Sequence, residues 1–264
     1  MKQILNSLDQ TARLLGVFAV LLFFGVRSAV VNLYCWDEWK RREIRHRLTS
    51  ISSKIILGIL RVQTEVKGYR DFRKSNFLMV SNHLSYLDVL VISSQVPTGF
   101  VTSMEIKRTP FLGQLTDLGG CLYVERRNKR NLLNEVEQLS EGLRRGMNIA
   151  VFPEATSTNG DSVLRFRRPL YNAAINAQRA TLPICLNYKQ VNGQSLSVRN
   201  RDLIYWYGEM GFLPHLWALA GAKGVLVEMN VLEPLLATPE VEDHYLAETS
   251  HQRVTELFVP CPTV

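Results

Sequence analysis

The sequence reads as a mixed α/β protein, a central β-sheet flanked by helices, preceded by a membrane-associated helical hairpin. Three observations carry that reading. From residue 61 onward, short apolar runs alternate with amphipathic stretches. The length, 264 residues, suffices for one sizeable α/β domain and an accessory element. The first 60 residues differ in character, apolar at the start and strongly basic in the middle. The expected division is therefore 1–60 for the membrane-associated helices and 61–264 for the α/β domain.

Residues 14–26 form an uncharged run, which Arg27 interrupts before residues 28–36 resume it. A spanning helix needs roughly 20 apolar residues, and shorter runs are more often interfacial or core segments. Arg27 would be costly at mid-bilayer but is tolerated near head groups by snorkelling. A signal peptide is the rival, but Lys2 is a thin basic region and no A-x-A cleavage site follows. The block Lys40-Arg41-Arg42-Glu43-Ile44-Arg45-His46-Arg47 suits anionic lipid on the cytoplasmic side of a membrane. Residues 48–60 give a second apolar-rich stretch. Two helices dipping into one leaflet are expected, with a single span as the alternative.

Residues 61–66 and 77–81 read as strands, with Gly68 and Lys74-Ser75-Asn76 as turn signals. A helix is expected over 87–96. A clearer one covers 131–145, where Leu132, Leu133, Val136, Leu139 and Leu143 share a face and Gly146 suits the position after its end. Residues 148–152 read as a strand, 169–178 as a helix opened by Pro169, and 182–186 as a buried strand. Residues 223–231 give another strand and 240–257 a polar terminal helix.

A formal charge of +7 points to anionic partners, such as acidic lipid head groups or an acidic carrier protein. Nucleic acid is not expected, since no zinc-finger, helix-turn-helix or RNA-binding signature is present. The 46% hydrophobic content is high for a soluble enzyme and too low for a polytopic membrane protein. Cys35, Cys121, Cys185 and Cys261 are widely spaced and form no CxxC, so they read as free thiols in a reducing compartment.

The segment Phe77-Leu78-Met79-Val80-Ser81-Asn82-His83-Leu84-Ser85-Tyr86-Leu87-Asp88 places a histidine and an aspartate where a buried strand gives way to a helix. Histidine is the side chain best suited to take a proton from a hydroxyl near neutral pH. A nearby carboxylate fixes its tautomer and stabilises the imidazolium that forms. Asp88 also has a structural use, since Ser85-Tyr86-Leu87-Asp88 fits a capping box. The spacing alone leaves the catalytic and structural readings even, and the two are compatible.

Three further segments break the tie. They are Gly120-Cys121-Leu122-Tyr123-Val124-Glu125-Arg126, Val151-Phe152-Pro153-Glu154-Ala155-Thr156 and Leu182-Pro183-Ile184-Cys185-Leu186. With the His83 segment, their order resembles the NHxxxxD, GxxFxxR, FPEGTR and apolar xPxxx blocks of the glycerolipid acyltransferase family, of the lysophosphatidic acid acyltransferase type. The resemblance spans roughly residues 61–235. It implies the α/β acyltransferase fold and transfer of a fatty acyl chain from acyl-CoA or acyl carrier protein to the hydroxyl of a lysolipid in membrane lipid biosynthesis. It further implies His83 as general base with Asp88 beside it. Arg126, Glu154, Thr156 and Gly120 would belong to the acceptor site, and Asn82 or the backbone near Gly120 would support the oxyanion. No metal and no resident cofactor is expected. The implied place is the cytoplasmic face of the inner membrane.

Two departures bear on the acceptor. The family's arginine in the third block is Ser157 here, and a lysine common two positions before Glu105 is Ser103. In the family both cations are associated with the acceptor's phosphate. Their loss weakens the case for a phosphate monoester, which needs charge-assisted partners in a partly dry site. An acceptor such as lyso-ornithine lipid therefore stands close behind. The sequence Glu154-Ala155-Thr156-Ser157-Thr158, followed by Arg165-Phe166-Arg167-Arg168-Pro169, resembles lyso-ornithine-lipid acyltransferase members of the family. Outside this class, a thioester or lipid hydrolase and a non-catalytic membrane-surface protein remain as alternatives.

Overall fold

Residues 78–81 and 148–151 show little polar alternation, and both become central strands buried at every position, as parallel strands covered on two faces must be. The computed structural model describes residues 2–125 and 131–262. Its first half comprises α1 (Lys2–Tyr34), α2 (Glu38–Ile59), β1 (Val62–Gly68), β2 (Leu78–Ser81), α3 (Leu87–Gln95), β3 (Thr98–Ser103), α4 (Met104–Arg108), α5 (Leu112–Leu118) and β4 (Leu122–Val124). The second half adds α6 (Leu132–Arg144), β5 (Asn148–Val151), α7 (Asn172–Ala177), β6 (Thr181–Val191), β7 (Gln194–Ser195), α8 (Phe212–Ala220), β8 (Val225–Val231) and α9 (Asp243–Leu257).

The sheet runs β1-β8-β6-β2-β5-β3-β4, with β7 folded back on β6. Strands β6, β2, β5, β3 and β4 are mutually parallel. Strand β8 is antiparallel to β6, and β1 lies parallel to β8 at the sheet's edge. The sequence follows this placement. In β8, Val225, Val227, Met229 and Val231 alternate with partly exposed neighbours, while β1 carries Gln63, Glu65 and Lys67 on its open side. The topology brings the carboxyl ends of β2, β3, β4 and β5 to one edge, where open α/β sheets gather their ligands.

One group of helices, α1, α2, α3 and α8, packs together, and α6 and α7 form a second group with α9 beside them against β6. The N-terminal region differs from the expectation of two short apolar segments. Helix α1 runs unbroken through Arg27 for 33 residues, about 50 Å at 1.5 Å per residue. Arg27 does not interrupt it, because the side chain lies on the exposed face above the Phe23 ring. The basic block falls inside the first turns of α2, which Asp37 caps by accepting from the Lys40 amide.

The hairpin is not detached from the rest. Val17 of α1 and Ile56 and Leu57 of α2 belong to the same buried cluster as Leu78, Met79 and Ile149. His46 seats α2 on the sheet. Its Nε2 lies 3.2 Å from the Gly120 carbonyl, and a Cβ at Gly99 would come within 2.5 Å of its ring. Only glycine at 99 allows that approach. Burial depresses the His46 pKa to about 4, so the ring stays neutral under the helix. One exposed face of the hairpin is apolar: Leu22, Phe23, Val26, Val30 and Leu33 lie together along α1.

Candidate active site

Two residues past the carboxyl end of β2, the His83 imidazole meets a carboxylate already held by the fold. His83 Nδ1 lies 2.9 Å from Asp88 Oδ2. The same oxygen accepts from the Leu84 amide at 2.6 Å and the Ser85 amide at 2.9 Å. Oδ1 accepts from the Tyr188 hydroxyl at 2.8 Å. Asp88 is fully buried, and these donors replace the water it has lost. The reach back to the Ser85 amide is the return half of the expected capping box. Structural and site roles are thus performed by one side chain.

Because the Asp88 carboxylate accepts, His83 Nδ1 is the protonated nitrogen, and in the neutral imidazole the lone pair then lies on Nε2. The ring stacks on Phe152, centroids 4.0 Å apart and planes 14° from parallel, and Phe152 stacks in turn on Phe100. The imidazole is thereby held in plane and direction. Its side chain is 19% exposed, so a reactant can reach it.

Glu154, three residues past β5, braces the same turn. Its Oε1 accepts from the His83 amide at 2.7 Å and its Oε2 from the Leu164 amide at 2.8 Å. Burial pushes its pKa up to about 7, against the pull of those two hydrogen bonds, and the neighbouring Asp88 charge adds slightly. The unfolded group ionises near 4.5. Below that value both states are neutral and Glu154 makes no pH-dependent contribution. Between about 4.5 and 7 the unfolded chain ionises first, so stability falls as pH rises, then levels off. The loss is on the order of 3 kcal/mol. His46 opposes it in the wild type, since its depressed pKa makes stability rise with pH over about 4 to 6.5. The Glu154 contribution is therefore read as a difference. Urea midpoints should shift in favour of Glu154→Gln, relative to wild type, between pH 4.5 and 8. A constant offset would remove the titration assigned to Glu154.

The other expected site residues divide. Thr156 is exposed on the loop after Glu154, and its hydroxyl bonds the Ser157 carbonyl at 3.3 Å. Asn82 is spent on the fold: its amide pairs with both the N–H and C=O of Leu186, at 2.8 and 2.9 Å, tying the His83 turn to β6. Gly120 lies at the amino end of β4, the opposite edge from His83. Its carbonyl accepts from Arg42 and faces His46, and its amide donates to Asp117. Arg126 lies outside the described residues. Ala155 stands where the family carries glycine and adopts φ +63°, a left-handed conformation that costs a non-glycine residue roughly 1 kcal/mol. Ser103 caps α4, its Oγ accepting from the Ile106 amide at 3.4 Å. Tyr188 and Phe152 were not anticipated as partners of the His83–Asp88 pair.

Two cavities flank this centre. One is apolar and lies among α1, α2, α3, α5 and α8, with Phe24, Ile56, Tyr86, Phe100 and Leu216 in its wall. Phe100 connects it to the Phe152–His83 stack. The other, about 280 Å³, opens at the carboxyl ends of β3, β4 and β5 and has Phe152 as one wall.

A mixed sheet with a histidine–carboxylate pair at its strand ends, an apolar chamber beside it and a long helix with an exposed apolar face is an arrangement suited to chemistry on apolar chains. Comparison with known proteins makes the class specific. Residues 63–187 match the family model described as Acyltransferase. A lyso-ornithine lipid O-acyltransferase of Rhizobium meliloti (strain 1021) is 31% identical over 208 residues, covering 76% of this chain and 70% of that protein. A 1-acyl-sn-glycerol-3-phosphate acyltransferase of Neisseria meningitidis serogroup B is 27% identical, covering 77% of each. The crystal structure of the 1-acyl-sn-glycerophosphate acyltransferase from Thermotoga maritima shares the fold, with TM-score 0.64 at 20% identity over 97% of this chain and 98% of that one. The chain belongs to the acyltransferase family that transfers acyl groups to lysolipids. Its apolar first helix and these lipid-acylating relatives point to membrane association.

Proposed function

We propose that this acyltransferase moves a fatty acyl chain from a thioester donor, acyl-CoA or acyl carrier protein, to the free hydroxyl of an aminolipid lysolipid such as lyso-ornithine lipid. The observation that carries the chemistry is the His83 imidazole, oriented at Nδ1 by a buried, four-times hydrogen-bonded Asp88 and left with a lone pair at Nε2. Nε2 takes the hydroxyl proton as the oxygen attacks the thioester carbonyl. The tetrahedral intermediate collapses with cleavage of the C–S bond, and the imidazolium returns its proton to the departing thiolate. The apolar chamber reached through Phe100 suits an acyl chain.

The acceptor reading rests on charge. Ser103 and Ser157 occupy positions where the family supplies cations, and the Ser103 hydroxyl is engaged in capping α4. The Rhizobium relative, named for lyso-ornithine lipid, supports the same acceptor. Lysophosphatidic acid is the second reading, favoured by the Neisseria relative's name. On the membrane side, α1 packs along α2, which carries Lys40, Arg41 and Arg47, so a spanning α1 would drag those charges with it. The hairpin therefore lies in one leaflet with its basic turns against anionic head groups, on the cytoplasmic face.

The test presents purified full-length protein in vesicles with one labelled acyl donor and an equimolar mixture of lyso-ornithine lipid and lysophosphatidic acid. Label should accumulate mainly in the diacylated aminolipid. Label mainly in phosphatidic acid would establish the second reading instead.

A further inference from the structure

We infer that α8 and the turn at Phe111 form a second membrane-entry surface, which dips into the same leaflet as the hairpin. The inference rests on the one-leaflet placement of the hairpin and adds a point of entry outside it. Residues 210–222 contain no Asp, Glu, Lys or Arg, and Glu209 and Lys223 flank them. His215, the one histidine in this run, is buried and turned inward. An apolar run of this length is too short to span a bilayer and belongs in a core or at an interface. Helix α8 is not a core helix. Leu213 is 55% exposed and Trp217 is 43% exposed, and with Pro214 and Ala218 they make up its outer face. A helix that faces water turns polar side chains outward. This one turns none.

The inner face is fully used. Leu216, Leu219 and Ala220 are buried, and Phe212 and Leu216 line the apolar chamber. Helix α8 is therefore the wall between that chamber and whatever covers Leu213 and Trp217.

What covers them follows from what lies beside them. Helix α8 packs on α1, where the Gln10 side chain donates to the Trp217 carbonyl at 2.8 Å. Phe111 bridges the two helices, its ring 6.2 Å from that of Phe18 on α1 and 5.9 Å from that of Phe212 on α8. Phe18 is one helical turn from Leu22, which lies on the exposed apolar face of α1. The apolar surface thus continues from Leu22 through Phe18 and Phe111 to the start of α8. Phe111 is itself partly exposed at φ +68°, a left-handed conformation that a bulky residue adopts only when its surroundings hold it there. Arg108, exposed at the end of α4 three residues earlier, is placed for an anionic head group, and tryptophan suits the boundary between head groups and chains. A bilayer is the occupant because the surface prolongs one that already faces lipid.

The experiment places a nitroxide at single introduced cysteines, Leu213→Cys, Leu22→Cys and Leu133→Cys, in full-length protein on vesicles of phosphatidylethanolamine and phosphatidylglycerol. Wild type carried through the same labelling provides the blank for the native thiols. Collisions are read with oxygen, which concentrates in lipid, and with a neutral nickel chelate, which stays in water. Leu133, exposed on α6 in the other helix group, reports water. On adding vesicles, the label at 213 should gain oxygen collisions and lose nickel collisions, as the label at 22 does. Ala218→Cys, on the same outer face, serves if Leu213→Cys does not fold. A label at 213 open to nickel while the one at 22 is sheltered overturns the inference alone. Shielding of 213 from both probes places protein rather than lipid over α8 and overturns it equally. Labels at 22 and 213 both left in water overturn the one-leaflet placement together with it. In a second arm, Leu213→Glu combined with Trp217→Glu should lower the vesicle partition coefficient about tenfold or more at an unchanged melting temperature. Unchanged partitioning of that variant contradicts the inference.

Discussion

His83→Ala should reduce acyl transfer by about 10²–10⁴-fold, the usual contribution of a positioned general base. The protein should remain folded, because the ring is partly exposed and Asp88 keeps its bonds from Leu84, Ser85 and Tyr188 when the imidazole is gone. Steady-state rates on protein of unchanged thermal midpoint and vesicle binding check this. Asp88→Asn should be impaired in a different way. An asparagine oxygen cannot receive four donors, and its NH₂ would face either the Leu84 and Ser85 amides or the Tyr188 hydroxyl. Loss of activity there should come with loss of stability. Near-normal turnover in cleanly folded His83→Ala would eliminate the base mechanism.

The second large effect concerns the membrane. Leu22, Phe23 and Val26 are more than half exposed on one face of α1. Each would recover about 1.5–3 kcal/mol on leaving water. The triple substitution Leu22→Glu, Phe23→Glu and Val26→Glu should therefore lower the vesicle partition coefficient by more than about 100-fold. The buried positions of α1, such as Val17, are untouched, so the fold and its melting temperature should be retained. Deleting the first 60 residues is a poorer test, since Ile56 and Leu57 belong to the main core. Vesicle flotation that is equal for wild type and the triple variant would show that this face does not enter lipid.

The legible part of the site was the part compressed into local sequence. His83 and Asp88 lie five residues apart at a strand-to-helix junction, and the motif, the capping box and the hydrogen bond all fit within one turn. Glu154 was singled out only through the third block's resemblance, and its brace on the His83 amide, 71 residues away in the chain, was not legible. Nor was Tyr188, because its contact with Asp88 crosses 100 residues of chain and depends on β6 lying beside β2. Phe152 read as the last residue of a strand, and nothing in its neighbours announces a stack on His83.

The fold shows the same division. Apolar runs at 78–81, 148–151 and 182–186 marked the central strands, while the polar half of β6, Asn187 to Gln190, extends only because β8 pairs with it. Strand β3 begins Thr98-Gly99-Phe100 and gave no strand signal; His46 packing over Gly99 explains why that glycine is there. Helix α8 contains Pro214, which reads as a breaker but sits in the first turn, where the missing amide hydrogen costs little. Arg27 read as an interruption of α1 because one-dimensional counting does not show which face a charge will occupy.

The most direct test of the central claim, direct transfer from thioester to lysolipid hydroxyl without an acyl-enzyme and with His83 as base, is a two-stage labelling experiment. Full-length protein is incubated with a labelled acyl thioester alone, quenched, and assayed for label on protein and in free fatty acid; lysolipid is then added to a parallel sample. Burial pushes the Cys121 and Cys185 thiols up to about 12 and raises that of Cys261, so none of these three is activated to carry an acyl group. The account predicts label remaining on the thioester until lysolipid arrives, then passing into diacylated lipid at a rate that His83→Ala abolishes. Stable label on the protein, or steady release of fatty acid without acceptor, would contradict it.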